Sequence, residues 1–200
     1  MISHFNNELT TIRQISDLRF GVPILLGHKN SYEIIVAIET LNMETFQKIL
    51  KYSNSSNFEP YLAITKNRAS FLKARVYDEN TARIKIPIPI SFDWIKSTAD
   101  PAKDFDYPLK GPYFSIREGN SKISEVAIHF CKKAQLLPSV LIIPINSTDL
   151  SQLKKLGLIY QKISKNFEIK TIAENLSLIS TGRVPIPGGL NSKVSVFRDL

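Results

Sequence analysis

One cysteine, Cys131, is the whole thiol inventory of this 200-residue sequence. An internal disulfide is therefore excluded, and no cysteine pair suggests zinc. Cys131 falls in a helical pattern, where a small buried side chain explains it better than a nucleophile does. No apolar run approaches the roughly 18–20 residues that a membrane span needs. The N-terminal MISHFNNELTTIRQ has no apolar signal core, so the sequence reads as cytoplasmic, with no membrane partner. The eight glycines form neither a GxGxxG turn nor a Walker loop, which removes the common phosphate cradles. The three histidines, His4, His28 and His129, are scattered. Acid–base or metal chemistry would need them to converge with carboxylates, and His28 with Glu33 is the one pairing the spacing allows. The 26 Lys and Arg against 18 Asp and Glu leave a charge of +8, yet no block of five like charges occurs. With no nucleic-acid motif either, those cations read as solvated surface and nucleic acid as an unexpected partner.

What is there is a one-domain complement of apolar residues, 43% of the chain, enough for a sizeable core. Leu9, Ile12, Ile15 and Leu18 recur at helical spacing, which predicts a first helix over about 7–19 ended by Gly21. Short apolar strands follow at Val22–Leu26 and Tyr32–Ile38, joined by the turn formers Gly27-His28-Lys29-Asn30-Ser31. Asn42 or Thr40 caps a helix over 43–52, and Pro60–Thr65 reads as a strand before a short helix at 67–74. The segment ARIKIPIPI, 82–90, alternates but carries two prolines, which places it at an edge. A short helix surrounds Trp94, a core or pocket-wall residue. Thr148 or Asp149 caps a helix to about Ser164, Phe167–Thr171 reads as a strand, and Ile172–Ile179 as a closing helix. Strands alternating with helices predict an α/β fold, a three-layer α-β-α domain with a mixed sheet.

The stretch Asp104–Ile143 organises the rest: loop, strand, loop, helix, strand. Ser124 is a candidate N-cap, Glu125 suits the positive end of a helix dipole, and Val126, Ala127, Phe130 and Ala134 share one face. Pro138 ends the helix, and Val140–Ile143 is continuous enough to be buried on both sides of a sheet. Here the loop reads Asp104-Phe105-Asp106-Tyr107-Pro108 and the turn Ser121-Lys122-Ile123-Ser124-Glu125-Val126. This frame resembles 3,4-dihydroxy-2-butanone 4-phosphate synthase, an enzyme of riboflavin biosynthesis, whose loop ends in Arg-Pro-Gly-His and whose turn is Gly-Gly-His-Thr-Glu-Ala. Element order supports the resemblance over about 9–180, through Gly21-Val22, Glu39-Thr40, Tyr61–Thr65, Asp93-Trp94-Ile95 and Thr171–Leu176.

The resemblance implies magnesium beside an acidic loop, because hard cations take carboxylate oxygens and stabilise an enediolate. Here Leu26-Gly27-His28-Lys29-Asn30-Ser31-Tyr32-Glu33 stands in that place, with Glu33 the one remaining acid and Lys29 a cation. Ile123 takes the place of the family's metal-binding His, Trp94 and Tyr107 those of two arginines. Glu125 keeps the Glu position and Ser124 can stand in for the Thr hydroxyl. Glu33, His28, Asp104 and Glu125 are thus the vestigial candidates, with no confident catalytic residue and no metal ligand set. The tail Gly182–Leu190 leading into Lys193–Asp199 resembles the opening of GTP cyclohydrolase II. That implies a synthase-like domain over 1–180 and, over 181–200, a linker and the start of a truncated cyclohydrolase II-like segment.

The expected function is a degenerate, non-catalytic synthase-like domain of a riboflavin-pathway protein, homodimeric, supporting a GTP cyclohydrolase II-like domain or chain, with no cofactor. One alternative is an active, magnesium-dependent conversion of ribulose 5-phosphate to 3,4-dihydroxy-2-butanone 4-phosphate and formate by a rearranged site. The other is an anion or nucleic-acid binding module that uses Lys29, Arg117 and Lys122.

Overall fold

A computed structural model describes residues 2–56, 58–164, 167, 176–185 and 192–199. They fall into two compact units, Met1–Asn166 and Phe167–Leu200. The first unit is built on a six-stranded mixed sheet in the order β4-β3-β5-β2-β1-β6. Its strands are β1 (Ile24–His28), β2 (Ser31–Ala37), β3 (Tyr61–Thr65), β4 (Thr81–Lys85), β5 (Ser139–Ile145) and β6 (Tyr160–Lys162). Every neighbouring pair is antiparallel except β1 with β6. β5 lies between β3 and β2, as its continuous apolar run requires. β4 is the edge, and Pro87 and Pro89 lie beyond its last residue, where they remove no ladder bond.

Strand alternation sorts the buried side chains into two faces. Leu25, Ile34, Ile143, Val36, Leu141, Leu62 and Ile84 share one core cluster with residues of α2 (Met43–Ser56), α3 (Lys66–Phe71), α4 (Phe92–Ala99) and α6 (Ser147–Lys155). The opposite face packs against α1 (Ile2–Arg19) and α5 (Lys122–Lys133). The expected three layers are therefore present.

Several local expectations are corrected. In α1, Leu9 and Ile12 are exposed, and Gln14 and Leu18 point inward. Gln14 wins its place because its Nε2 donates to the carbonyls of Leu25 (3.2 Å) and Ile159 (2.9 Å), where β1 begins to pair with β6. α5 starts at Lys122, with Ser121 at the cap position, so Ser124 is not the N-cap but a buried first-turn residue. The helix after β5 stops at Lys155, and Gly157 at φ 91° turns the chain into β6 rather than continuing to Ser164. Of the expected closing helix, 172–175 lie outside the described residues, and Leu176–Ile179 are strand. They open β7 (Leu176–Arg183), which pairs antiparallel with β8 (Lys193–Asp199) to form a hairpin in the second unit. The expected strand over 167–171 lies outside the described residues from 168 on.

Gly27 is needed for close approach rather than for its φ. A Cβ there would meet the Tyr160 hydroxyl at 2.5 Å and its ring carbons at 2.9 and 3.1 Å. Tyr160 would have to shift, and with it its contacts to Lys154, 3.9 Å from the ring, and to Tyr32, 6.2 Å away. Gly27→Ala should cost about 1–3 kcal/mol by overpacking, read as a lower urea midpoint with an unchanged slope.

Candidate functional site

The β1–β2 connection decides what the old acidic-loop position can do. Gly27 pairs with Tyr32 and His28 with Ser31, so Lys29 and Asn30 alone make the turn. Lys29 sits at φ 55°, the left-handed region that a tight reversal needs. Leu26 and Glu33, the ends of the replaced segment, are cross-strand partners inside the sheet. The connection is a tight hairpin.

Glu33 faces the α5 side, half-buried. The Tyr61 hydroxyl on β3 donates to Glu33 Oε2 at 3.1 Å and lies 3.4 Å from Ser124 Oγ on α5. Burial pushes the Glu33 carboxyl up to about 7, against the pull of the Tyr61 hydrogen bond and the Arg83 charge. The Tyr61 phenol is raised too, first by burial and then by the Glu33 charge. Arg83, on the neighbouring strand, is itself held by both oxygens of Asp78 (2.9 and 3.0 Å) and donates to the Glu118 carbonyl at 2.8 Å. Asp78 and its hydrogen bonds raise the Arg83 guanidinium pKa despite desolvation by burial, the largest single influence, which acts to lower it. The result is a buried line of oxygens, Glu33–Tyr61–Ser124, with one guanidinium nearby. It can hold a proton at neutral pH. It offers one carboxylate to a cation.

The other candidates lie apart from it. His28 Nδ1 donates to the Ile163 carbonyl at 3.2 Å, and among the described residues no bond joins His28 to Glu33. The pairing suggested by the sequence is therefore not formed. Glu125 accepts from the Ser121 hydroxyl at 2.6 Å, a local link within the first turn of α5. Asp104 belongs to a second cluster beside α3 and α4. Arg68 clasps it through both nitrogens (2.6 and 2.7 Å), and Lys110 Nζ binds the same carboxylate. These bonds, Arg68 foremost, hold the Asp104 carboxyl down at about 2 despite desolvation. Arg68 also donates to the carbonyls of Thr98, Ser97 and Asp100. That cluster fastens the loop after α4 to α3.

Ile123, in the place of the metal-binding His, is buried against the sheet. His129 on α5 is half-buried, its imidazole lowered to about 4 by burial and then by Lys133 and Lys132. Cys131 is buried and its thiol pushed up to about 12 by burial, which makes it inert, as its place in the helix suggested. Among the described residues no three His, Cys, Asp or Glu side chains group as metal ligands. Trp94 donates from Nε1 to the Lys110 carbonyl at 2.9 Å and leans on Tyr113, 5.9 Å away, a wall residue.

Sequence reasoning missed Tyr61, Arg83, Arg68 and Lys110. Arg83 carried no signal: in ARIKI it alternates out of phase with Ala82, Ile84 and Ile86, and it is buried because α5 packs against the other face of β4. Arg68 and Lys110 carried none, since what makes them matter is Asp104, 36 and 6 residues away.

Comparison with solved structures identifies the arrangement. A two-domain 3,4-dihydroxy-2-butanone 4-phosphate synthase from A. baumannii superposes with a TM-score of 0.51 at 14% identity, over 95% of this chain and 66% of its own. A cation-free 3,4-dihydroxy-2-butanone 4-phosphate synthase gives 0.52 at 12% identity, over 76% and 91% of the two chains. The synthase of Candida albicans gives 0.51 at 14%, over 76% and 92%. The fold is that of 3,4-dihydroxy-2-butanone 4-phosphate synthase. Among curated proteins, the GTP cyclohydrolase-2 of Azospirillum brasilense is 19% identical over 170 residues, 82% of this chain and 43% of its own length. This chain thus spans less than half of that relative. No family model matches the sequence. No helix among the described residues is long and apolar enough to cross a membrane.

Proposed function

We propose that this chain is a non-catalytic synthase-like domain of a cytoplasmic riboflavin-biosynthesis protein, a dimerisation or support module for a GTP cyclohydrolase II-like part. The observation that carries this reading is the β1–β2 hairpin, which holds Glu33 inside the sheet, hydrogen-bonded to Tyr61, with no group of three His, Cys, Asp or Glu side chains gathered around a cation position among the described residues. The buried Ile123, which cannot ligate a metal, supports it too. The synthase fold without its ligand set is what a retained scaffold looks like, because loops at a site change while the core stands.

The cyclohydrolase association is supported by the curated relative's name and by the reach of the structural matches. The two single-fold synthases cover 76% of this chain, whereas the two-domain protein covers 95%. The added share, about a fifth of the chain, is close in size to the unit Phe167–Leu200.

The test is formate release from ribulose 5-phosphate with magnesium, run on the purified chain beside a thermal-shift titration of the same two compounds. Neither formate nor a saturable shift is expected. Turnover would reject the scaffold reading in favour of an active enzyme with a rearranged site, and Glu33→Gln and Glu125→Gln would then show which carboxylate serves it.

A further inference from the structure

The loop after α4 and the segment after α3 meet in a feature that neither the synthase fold nor the scaffold reading uses. They form an open groove of about 1070 Å³. Four aromatic side chains along it stand largely in solvent: Phe71 at 68%, Tyr77 at 46%, Phe105 at 95% and Phe114 at 65% exposure. Exposed aromatics grouped this way mark a binding surface rather than the scattered apolar residues of an ordinary surface.

The charged residues lining the groove are three cations, Lys73, Arg75 and Lys110, and one carboxylate, Asp104. Lys73 and Arg75 line it, both exposed, and Arg117 stacks over the Tyr77 ring at 6.0 Å. The carboxylate among the lining residues, Asp104, is already bound by Arg68 and Lys110, so it repels no incoming anion at full strength. Rings that expose π-faces beside cations are the two parts of a single-strand binding surface: bases stack on the rings, and phosphates lie against the cations. Such a surface needs no sequence motif, which is why a chain without one can carry it.

From this we infer that the groove bounded by Phe71, Tyr77, Phe105 and Phe114 binds single-stranded nucleic acid without sequence preference. The inference is independent of whether the synthase chemistry survives.

The experiment is fluorescence anisotropy of a labelled 15-nucleotide oligo-dT and oligo-U with the full 200-residue chain. Binding is expected at 50 mM salt. If Lys73, Arg75 and Arg117 neutralise about three phosphates, affinity should fall roughly 20-fold by 200 mM. Phe105→Ala and Phe114→Ala should each weaken binding about 5- to 100-fold. Both side chains are exposed, so both variants should keep the wild-type melting temperature. A duplex of the same length should bind more weakly, since its bases cannot reach the rings. Three results would overturn the inference: no binding at 50 mM salt; binding that both alanine variants leave intact or that a duplex matches; or self-association of the chain that Phe105→Ala abolishes with no oligonucleotide bound, which would make the groove an interface between copies.

Discussion

At pH 8, Glu33→Gln should melt at a higher temperature than the wild-type chain, and the two should converge as the pH falls towards 4.5. The reason is linkage. Glu33 is raised by burial from 4.5 to about 7, with Tyr61 and Arg83 pulling the other way. A carboxyl whose folded pKa lies above its unfolded one binds its proton more tightly in the native state. Stability is then full below the unfolded value and declines as pH rises through the folded one. By pH 8 the wild type has lost up to about 3 kcal/mol. Gln cannot ionise, and its Oε1 still accepts from the Tyr61 hydroxyl. The gain at pH 8 should appear as a rise of several degrees, about 2–4 °C for each kcal/mol in a chain of this size. Melting curves of both proteins from pH 4.5 to 8.5 measure it. Parallel curves would mean that Glu33 titrates as an ordinary surface carboxyl and that the Glu33–Tyr61–Ser124 line is open to water.

Asp104→Ala is the opposite case, a loss at neutral pH. Arg68 and Lys110 are buried and share this carboxylate, and Asp104 itself is only partly exposed. Removing it strands two cations among the carbonyls of the α4 turn, and breaking a buried pair in this way costs about 3–5 kcal/mol. Much of the marginal stability of a domain lies within that range. The same bonds hold the Asp104 carboxyl at about 2, so in the wild type their contribution is complete above 3.8 and is lost as pH falls through about 2. Urea midpoints at pH 7 check the first claim. A midpoint shift under 1 kcal/mol would show that water, not protein, already solvates the pair. Asp104 was a candidate for chemistry on sequence grounds; its geometry makes it a fastener instead.

Glu33 and Asp104 share a residue class and a place on the vestigial site suggested by the sequence, yet their environments drive their pKa values in opposite directions. One faces a phenol in a half-buried sheet position, the other two cations. Neither environment is written in the residues beside it. Tyr61 lies 28 positions from Glu33, and Arg68 lies 36 from Asp104.

The hairpin β7–β8 makes the same point about the fold. Leu176–Ile179 could be read as the last turn of a helix, but Leu178 finds Phe197 across the ladder and the segment extends. Helical spacing in a short apolar run cannot compete with a cross-strand partner that only the folded chain supplies.

What the sequence by itself determined is the order of helices and strands from α1 to α4 and from α5 to β5, the central place of Val140–Ile143 and the edge place of ARIKI. These are local properties: periodicity, proline, and residue type decide them without reference to distant parts of the chain. Only the tertiary structure decided that Lys29–Asn30 is a two-residue turn in register, that Ser124 serves Tyr61 instead of capping α5, that His28 turns to Ile163 and away from Glu33, and that Phe71 and Tyr77 share a groove with Phe105 and Phe114. Each of those depends on which strands and loops become neighbours. Burial, hydrogen bonding and charge act through space, and the neighbours they act on are set by the packing of the whole sheet.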